Sequence, residues 1–381
     1  MSISETGARI FVSSLTLTSF RNYPYLKLDL TEQKAKPVVL IGPNGAGKTN
    51  LLEALSLFSP GRGLRRAARA DFLYHHREQA HPPVWGVSAQ IETDMGPLQA
   101  STGLSADKPE GARLFRLNGA KSSASQIATH VALSWLTPQM DGLFIGSPSA
   151  RRRFVDRLVI AFDPAHSARL SRYEKWYRER QKLIQDRSDE TWIDALETQL
   201  GEMGVAIMAA RASLVRALSE TIYQGDEAFG FPRLHMSMSG GGCAWLDHEP
   251  AAVVEDKIKQ DARRRRQGGE LTMLGPQAQD LDTIHLAKNQ PAQLASTGEQ
   301  KALMIAAILA HARLQQKRLS RPPLLLLDDV AAHLDETRRA CLFAATSELQ
   351  GQVWYSGTDK QAFEKLAPFA QFLHVEDGKI R

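Results

Sequence analysis

The residues whose types and spacing can do chemistry sit in short stretches far apart in the chain. Gly42-Pro43-Asn44-Gly45-Ala46-Gly47-Lys48-Thr49-Asn50 fits the pattern G-x-x-x-x-G-K-[ST]. Its glycines let the backbone approach an anion, and the amide N–H groups from Asn44 to Thr49 can point inward at it. Lys48 is the side-chain cation for the β- and γ-phosphates of a nucleotide, and the Thr49 hydroxyl is a ligand for Mg²⁺. Far downstream, Asp328 and Asp329 close the apolar run 324–327. Asp328 is placed to hold Mg²⁺ directly or through water, and Asp329 to orient and partly deprotonate an attacking water. Alone, such a pair could cap a helix N-terminus. Beside a phosphate loop the metal role is the stronger reading. Ser296-Thr297-Gly298-Glu299-Gln300 precedes an Ala- and Leu-rich helix, and Ser296, the Gly298 N–H and the helix N-terminus make a second anion cradle.

Periodicity shows which elements must position these groups. Residues 38–41 are a β-branched and leucine run, a buried strand leading into the loop; Leu51, Leu52, Leu55 and Phe58 fall on one face of the helix that follows. Residues 10–17 and 25–30 alternate apolar and polar, which predicts an antiparallel pair. Between them, Arg21 and Asn22 lie either in a plain turn or at the edge of the nucleotide pocket. Residues 84–92, 98–104 and 113–118 alternate again, and Leu117-Asn118-Gly119 signals a hairpin turn. A β-rich lobe over 1–145 is the result. From 146 to 265 the period becomes helical. One helix carries Leu170, Tyr173, Tyr177 and Ile184; the next carries Trp192, Leu196, Leu200, Met203, Ile207, Ala210 and Leu214, a narrow seam of the kind two antiparallel helices share. Residues 225–250, with glycines at 240–242, read as a hairpin region. Lys48 and Asp328 are about 280 residues apart, so something large is inserted between neighbouring strands. The fold class is therefore α/β, a mixed sheet around the phosphate loop with an inserted short helical arm, and 266–381 form the second lobe.

Basic clusters recur. Arg62, Arg65, Arg66 and Arg69, with Gly61 and Gly63, make a loop uninterrupted by acid, either a solvated face or a binder of nucleotide or DNA phosphate. Arg151, Arg152 and Arg153 open one helix, and residues 263–266, all arginine, close another, where cations also complement the helix dipole. DNA contact is the competing reading for both. A chain of 381 residues allows two or three domains, and a net charge of +5 permits an anionic polymer as partner without demanding one. Cys243 and Cys341 lie too far apart to suggest a disulfide framework or zinc site. No leader pattern opens the chain and no apolar run reaches membrane-span length, so a reducing cytoplasm is the expected compartment.

The S-x-G-E-Q pattern, some 30 residues before the aspartates, resembles the signature motif of ABC-type ATPases. Together SFRNYPYLKLDL, GPNGAGKTNLLEALSLFSPGRG, LTPQMDGLFIGSPSARRRFVDRL, ELTMLGPQAQDL, LASTGEQKALMIAAILAHARL, LLLLDDVAAHLDETRR and QVWYSGTD resemble the RecF family of recombination-mediator ATPases, within the ABC/SMC superfamily. The resemblance implies an ABC/SMC-type ATPase head that binds ATP and Mg²⁺ and hydrolyses slowly, with DNA stimulation. It implies that Ser296, Gly298 and Glu299 serve the nucleotide of a second copy, so that ATP holds a homodimer together. Binding of DNA, duplex or at single-strand/duplex junctions, is implied too, with a part in DNA repair, recombination, replication and the SOS response, and cooperation with RecR and RecO in loading RecA. Gln139, in Pro138-Gln139-Met140-Asp141, takes the place of a γ-phosphate sensor. The chain departs from the family at Ala332-His333-Leu334-Asp335, commonly S-E-L-D, and at Gly275-Pro276-Gln277-Ala278, commonly G-P-H-R; Thr358 stands where ABC proteins have a switch histidine. Two other readings compete. A transporter's nucleotide-binding subunit fits poorly with the insertion, the missing histidine and the basic clusters. A long-armed SMC-type structural ATPase needs far more coiled coil than this seam supplies.

Overall fold

The computed structural model describes residues 10–33, 35–74, 84–107, 111–224, 230–319 and 322–381. The expectation of no leader at residues 1–9, and residues 225–229 of the expected hairpin region, lie outside them. Alternation builds the first strands. In β1 (Phe11–Phe20) Val12, Leu15 and Leu17 are buried, and β2 (Tyr23–Asp29) pairs with it antiparallel, from Ser14↔Asp29 to Phe20↔Tyr23. After β3 (Val38–Ile41) and the glycine-rich loop, α1 (Lys48–Ser56) buries Leu51, Leu52 and Leu55. Phe58 is buried too, but beyond the end of that helix rather than on it. Strands β4 (Gly86–Thr93), β5 (Gly96–Gly103), β6 (Leu114–Leu117) and β7 (Ala120–Ser122) run as antiparallel neighbours. Asn118 and Gly119, at φ 49° and 80°, supply the left-handed pair that the two-residue turn from β6 to β7 needs. The short α2 (Ala124–Ala128), capped by Ser123, leads to β8 (Leu133–Leu136).

Helix α3 (Pro148–Ile160) starts on proline with Ser147 as its cap, and α4 (His166–Gln185) and α5 (Glu190–Gln224) follow. Next come β9 (Leu234–Gly240), α6 (Ala251–Gln267), β10 (Gln279–His285) and β11 (Gln290–Pro291). The last third holds α7 (Thr297–Leu319), β12 (Leu324–Leu327), α8 (Glu336–Ser347), β13 (Val353–Gly357), β14 (Gln371–Glu376) and β15 (Lys379–Ile380). No helix among the described residues is long and apolar enough to cross a membrane, and both cysteines are free.

Two compact units result. The first takes its described residues from Met1–Asp141, Asp226–Pro232 and Met304–Arg381. It holds an antiparallel sheet in the order β2-β1-β4-β5-β6-β7 and a second sheet in the order β15-β14-β3-β13-β12-β8. The second sheet is parallel except at β15. Buried at every position, β3 and β12 read as unbroken apolar runs rather than alternating ones. One core joins both sheets and α1 through Leu15, Leu17, Phe20, Leu51, Trp85 and Trp354. Phe20, Phe72 and Trp85 pack within 5.7, 5.8 and 5.0 Å of one another's ring centres.

The second unit takes its described residues from Gly142–Gly225 and Arg233–Leu303. Its helices α3 to α6 accompany a three-stranded sheet in the order β11-β10-β9. The expected seam between α4 and α5 is present, yet Trp192 is 70% exposed near the start of α5. Gly204, Val205 and Met208 are buried instead, because α5 packs against α6 and β9 as well as α4 and needs a broader apolar stripe. The region from 230 to 250 is not a local hairpin. Glycines 240–242 all take positive φ and turn the chain out of β9, which pairs across the sequence with β10, from Leu234↔His285 to Gly240↔Gln279. The pairing of β9 with β10 carries this unit past 265 to 303, so that it holds Ser296–Glu299, while the aspartates belong to the first unit. The unit also encloses ion pairs: Arg180 with Glu197 at 2.8 Å, both fully buried, and Arg211 with Asp156 at 2.7 and 2.8 Å.

Candidate active site

In the first unit the loop 42–49 leaves the C-terminal end of β3, between β13 and β14. In parallel sheets this end is where ligands bind. A Cβ on Gly42 would come within 2.0 Å of the Val375 carbonyl oxygen, so only glycine lets the loop pass β14. Gly47, at φ 116°, is equally tight: a Cβ there would meet the Asn22 amide at 2.5 Å and the Tyr23 hydroxyl at 2.6 Å. These neighbours hold the loop from behind. Asn22 Nδ2 donates to the Ala46 carbonyl at 2.9 Å, Asn50 Nδ2 donates to Asn22 Oδ1 at 2.7 Å, and the Tyr23 hydroxyl donates to the Gly47 carbonyl at 3.1 Å. Asn44 and Gly45 form the exposed tip. Helix α1 then begins at Lys48 with no side-chain cap and no acidic residue in its first turn. Its first N–H groups lack intrahelical partners, which is the cradle an anion fits.

Lys48 is mostly buried and its Nζ donates to the Gly42 and Pro43 carbonyls at 2.6 and 2.8 Å. Burial pushes its pKa down, against the pull of Asp329 and Asp328. Thr49 Oγ1 donates to Asp328 Oδ1 at 2.8 Å, which joins residues from β12 and α1. Burial raises the Asp328 pKa, against hydrogen bonds from Ser356 and Thr49 and the charge of Arg65. Both shifts share a cause, removal from water, and both are relieved by a counter-charge: phosphate for Lys48, a cation for Asp328. Among the described residues no cluster of three His, Cys, Asp or Glu could hold a metal. One hydroxyl and one carboxylate are hard oxygen donors that suit Mg²⁺, which keeps several waters and takes substrate phosphates.

Ser356, near the end of β13 and inside QVWYSGTD, has no role that the sequence assigns, yet its hydroxyl donates to Asp328 Oδ1 at 2.7 Å and accepts the Asp329 N–H at 2.9 Å. Asp329 has a left-handed backbone, φ 51°. Gln139 is exposed in a short turn just past β8, the strand next to β12. Thr358 is exposed immediately after β13. Asp335 caps α8, accepting the Arg338 N–H at 2.8 Å, whereas the side chain of His333 lies outside the described set.

Arg21 is not held open at the pocket edge. It forms a two-pronged pair with Glu53 of α1, at 2.8 and 2.9 Å, donates to the Asp71 carbonyl at 2.7 Å and covers the Phe72 ring. Arg65 leans on the same helix, with Nη1 2.5 Å from Asn50 Oδ1 and 3.5 Å from Glu53 Oε2. Glu53, fully buried and taking both arginines, is a second residue that sequence reasoning missed. Of the loop's cations, Arg62, Arg66 and Arg69 are exposed, and Arg69 donates to the Gly111 carbonyl.

In the second unit the arginine runs are largely engaged. Arg151 makes a two-pronged pair with Asp280 at 2.7 and 2.6 Å, Arg152 donates to the Gln279 carbonyl at 2.7 Å, and the exposed Arg153 donates to Ser149. Arg264, Arg265 and Arg266 pair with Asp261 or Asp194 at 2.7–2.9 Å. Gln277 bonds Tyr173 and the Met273 carbonyl. The segment 296–299 closes on itself as a capping box. Ser296 donates through N–H and Oγ to Glu299 Oε2, both at 3.0 Å, and Lys288 holds Glu299 Oε1 at 2.7 Å. Lys288, then Ser296, hold the Glu299 pKa down at about 2. S-x-G-E is also S-x-x-E, the capping-box pattern of a helix start.

The model of the RecF/RecN/SMC N terminal domain matches residues 11–381. A DNA replication and repair protein RecF of Mesorhizobium japonicum is 44% identical over 378 residues, 98% of each chain. A relative of the same name from Brucella suis biovar 1 is 42% identical over 383 residues, covering 99% of this chain and 98% of its own. Among solved structures, the recombination mediator protein RecF-ATPrS in the RecFOR pathway superposes with a TM-score of 0.83 at 20% identity, over 98% of both chains. An Smc head bound to the C-winged helix domain of ScpA gives 0.55 at 15% identity, over 97% of this chain and 96% of that one. At those identities the structures speak for the fold, an SMC-type head of mixed α/β architecture. The match along nearly the whole length, together with relatives above 40% identity, shows that the chain belongs to the RecF family of the RecF/RecN/SMC group.

Proposed function

We propose that this chain is an ATPase whose copies pair around ATP and clamp DNA. The observation that supports the reading best is the convergence of Lys48, Thr49, Asp328 and Asp329 where β3, β12 and β13 end. In this reading the amides of Asn44 to Thr49 and the Lys48 ammonium bind the β- and γ-phosphates. Thr49 and Asp328 hold Mg²⁺, which neutralises charge on the phosphate oxygens. Asp329 orients the water that attacks the γ-phosphorus and accepts its proton, as the bond to the bridging oxygen of ADP breaks. Gln139 senses the γ-phosphate, while Asn22, Asn50 and Arg21 keep the loop and α1 in place. Ser296 and the Gly298 N–H serve the nucleotide of the second copy, which requires the Ser296 hydroxyl to turn away from Glu299. The exposed Arg62, Arg66 and Arg153 contact DNA, whereas Arg65, Arg151 and Arg152 brace the fold. Relatives named DNA replication and repair protein RecF, and a solved RecF described within the RecFOR pathway, support recombinational repair as the setting and RecO and RecR as partners, with RecA loading as the outcome.

Lys48→Met tests the core of this. It removes the one side-chain cation on the terminal phosphates, and binding of a fluorescent ATP analogue should fall about a hundredfold. Unchanged affinity overturns the assignment. Asp329→Asn should leave ATP bound and trap the pair, seen as a dimer in size exclusion with ATP; a monomer at every ATP concentration removes the second-copy site. Arg62→Ala with Arg66→Ala should lower the slope of log DNA affinity against log salt by about 2.

A further inference from the structure

Ser356 is 1% exposed at the end of β13, the strand beside β12. A hydroxyl has one proton to give and lone pairs to receive with. Here the proton goes to Asp328 Oδ1 and a lone pair takes the Asp329 N–H. Both aspartates are therefore tied to a strand other than their own. Asp329 has a left-handed backbone at this point, a conformation aspartate adopts more readily than most residues with a side chain, and its N–H is held there by Ser356. Thr49 also donates to Asp328 Oδ1, and its oxygen keeps lone pairs with which to meet a cation. Unlike Thr49, Ser356 reaches both aspartates, Asp328 through its proton and the Asp329 N–H through a lone pair.

Resting on the reading of Asp328 as a cation-holding carboxylate, we infer that Ser356 is a positioning residue for the aspartate pair. It sets the rotation of the Asp328 carboxylate and, through the Asp329 N–H, the place of the second aspartate, and it touches neither nucleotide nor metal. The sequence offers no local sign of this, since Ser356 follows Asp328 by 28 residues and reaches it only through strand pairing.

The test uses the full chain with Mn²⁺ as probe, its binding in the presence of ATP followed by the loss of the free-ion EPR signal. Binding of a fluorescent ATP analogue in EDTA runs in parallel. Ser356→Ala should weaken Mn²⁺ binding about tenfold, the usual effect of losing a group that orients a ligand. It should leave metal-free nucleotide binding as it was. Ser356→Thr keeps the hydroxyl on the same carbon and should restore Mn²⁺ affinity to within about twofold. Ser356→Cys, a weak donor of similar shape, should fall between the two and replaces the alanine variant should that fail to fold. A serine that only supports the sheet would lower the melting temperature and leave Mn²⁺ affinity unmoved, which overturns the inference. Asp328→Asn separates the two levels. If it too leaves Mn²⁺ binding intact, the cation-site reading fails; if it abolishes binding while Ser356→Ala does not, the role of Ser356 alone is refuted.

Discussion

Glu53 shows how much of the site depends on a residue that touches no ligand. Its carboxylate is fully buried on α1 and receives Arg21 with both prongs and Arg65 from the side. Glu53→Ala strands the Arg21 guanidinium, and because that group keeps some exposure the loss should lie at the low end for broken buried pairs, about 3 kcal/mol in urea unfolding. Glu299 gives a prediction in pH. Its folded value of about 2 lies below the ordinary 4.5, so its contribution is fully present above about pH 4.5 and fades as pH falls toward 2. Glu299→Gln should flatten that acid limb, measured as melting temperature against pH. A local pattern is enough to single out Lys48, Thr49 and Asp328, which the fold brings together. Ser356 and Glu53 are not singled out, because their roles exist only in the pairing of β12 with β13 and in the approach of the β1–β2 turn to α1.

At the scale of elements, strands and helices were legible where burial is simple. Two-sided burial gave β3 and β12 their unbroken apolar runs, and the Asn118-Gly119 turn declared itself. The seam expected of helix α5 is too narrow, because it presumes one partner, whereas the helix packs against α3, α4, α6 and β9. The segment after it was read as a hairpin because the partner of β9 lies beyond α6, where no local signal reaches. The same helix tests buried charge. Arg180→Leu leaves buried Glu197 with only its longer contact to Arg266, at 3.6 Å, and should cost about 3 kcal/mol, whereas Arg180→Leu with Glu197→Leu should cost less. Chemical denaturation of both variants checks the order. In the first unit, Gly42→Ala should destabilise by more than the about 1 kcal/mol that a tolerated glycine replacement gains, since the added carbon meets the Val375 carbonyl and the backbone must shift.

Across the whole molecule, the gap between loop and aspartates points to an insertion, and the second unit occupies most of that gap, closed on itself by the pairing of β9 with β10. The nucleotide-side sheet is assembled out of sequence order: β3 lies between β13 and β14, with Val38 opposite both Trp354 and Gln371. Removing residues 371–381 would strip β3 of one neighbour and expose an apolar edge, so the shortened chain should partition to the insoluble fraction on expression. The same interleaving bears on synthesis. The phosphate loop leaves the ribosome early but has no sheet to stand in until the final strands emerge, so an mRNA cut short yields no fragment able to compete with finished copies for nucleotide.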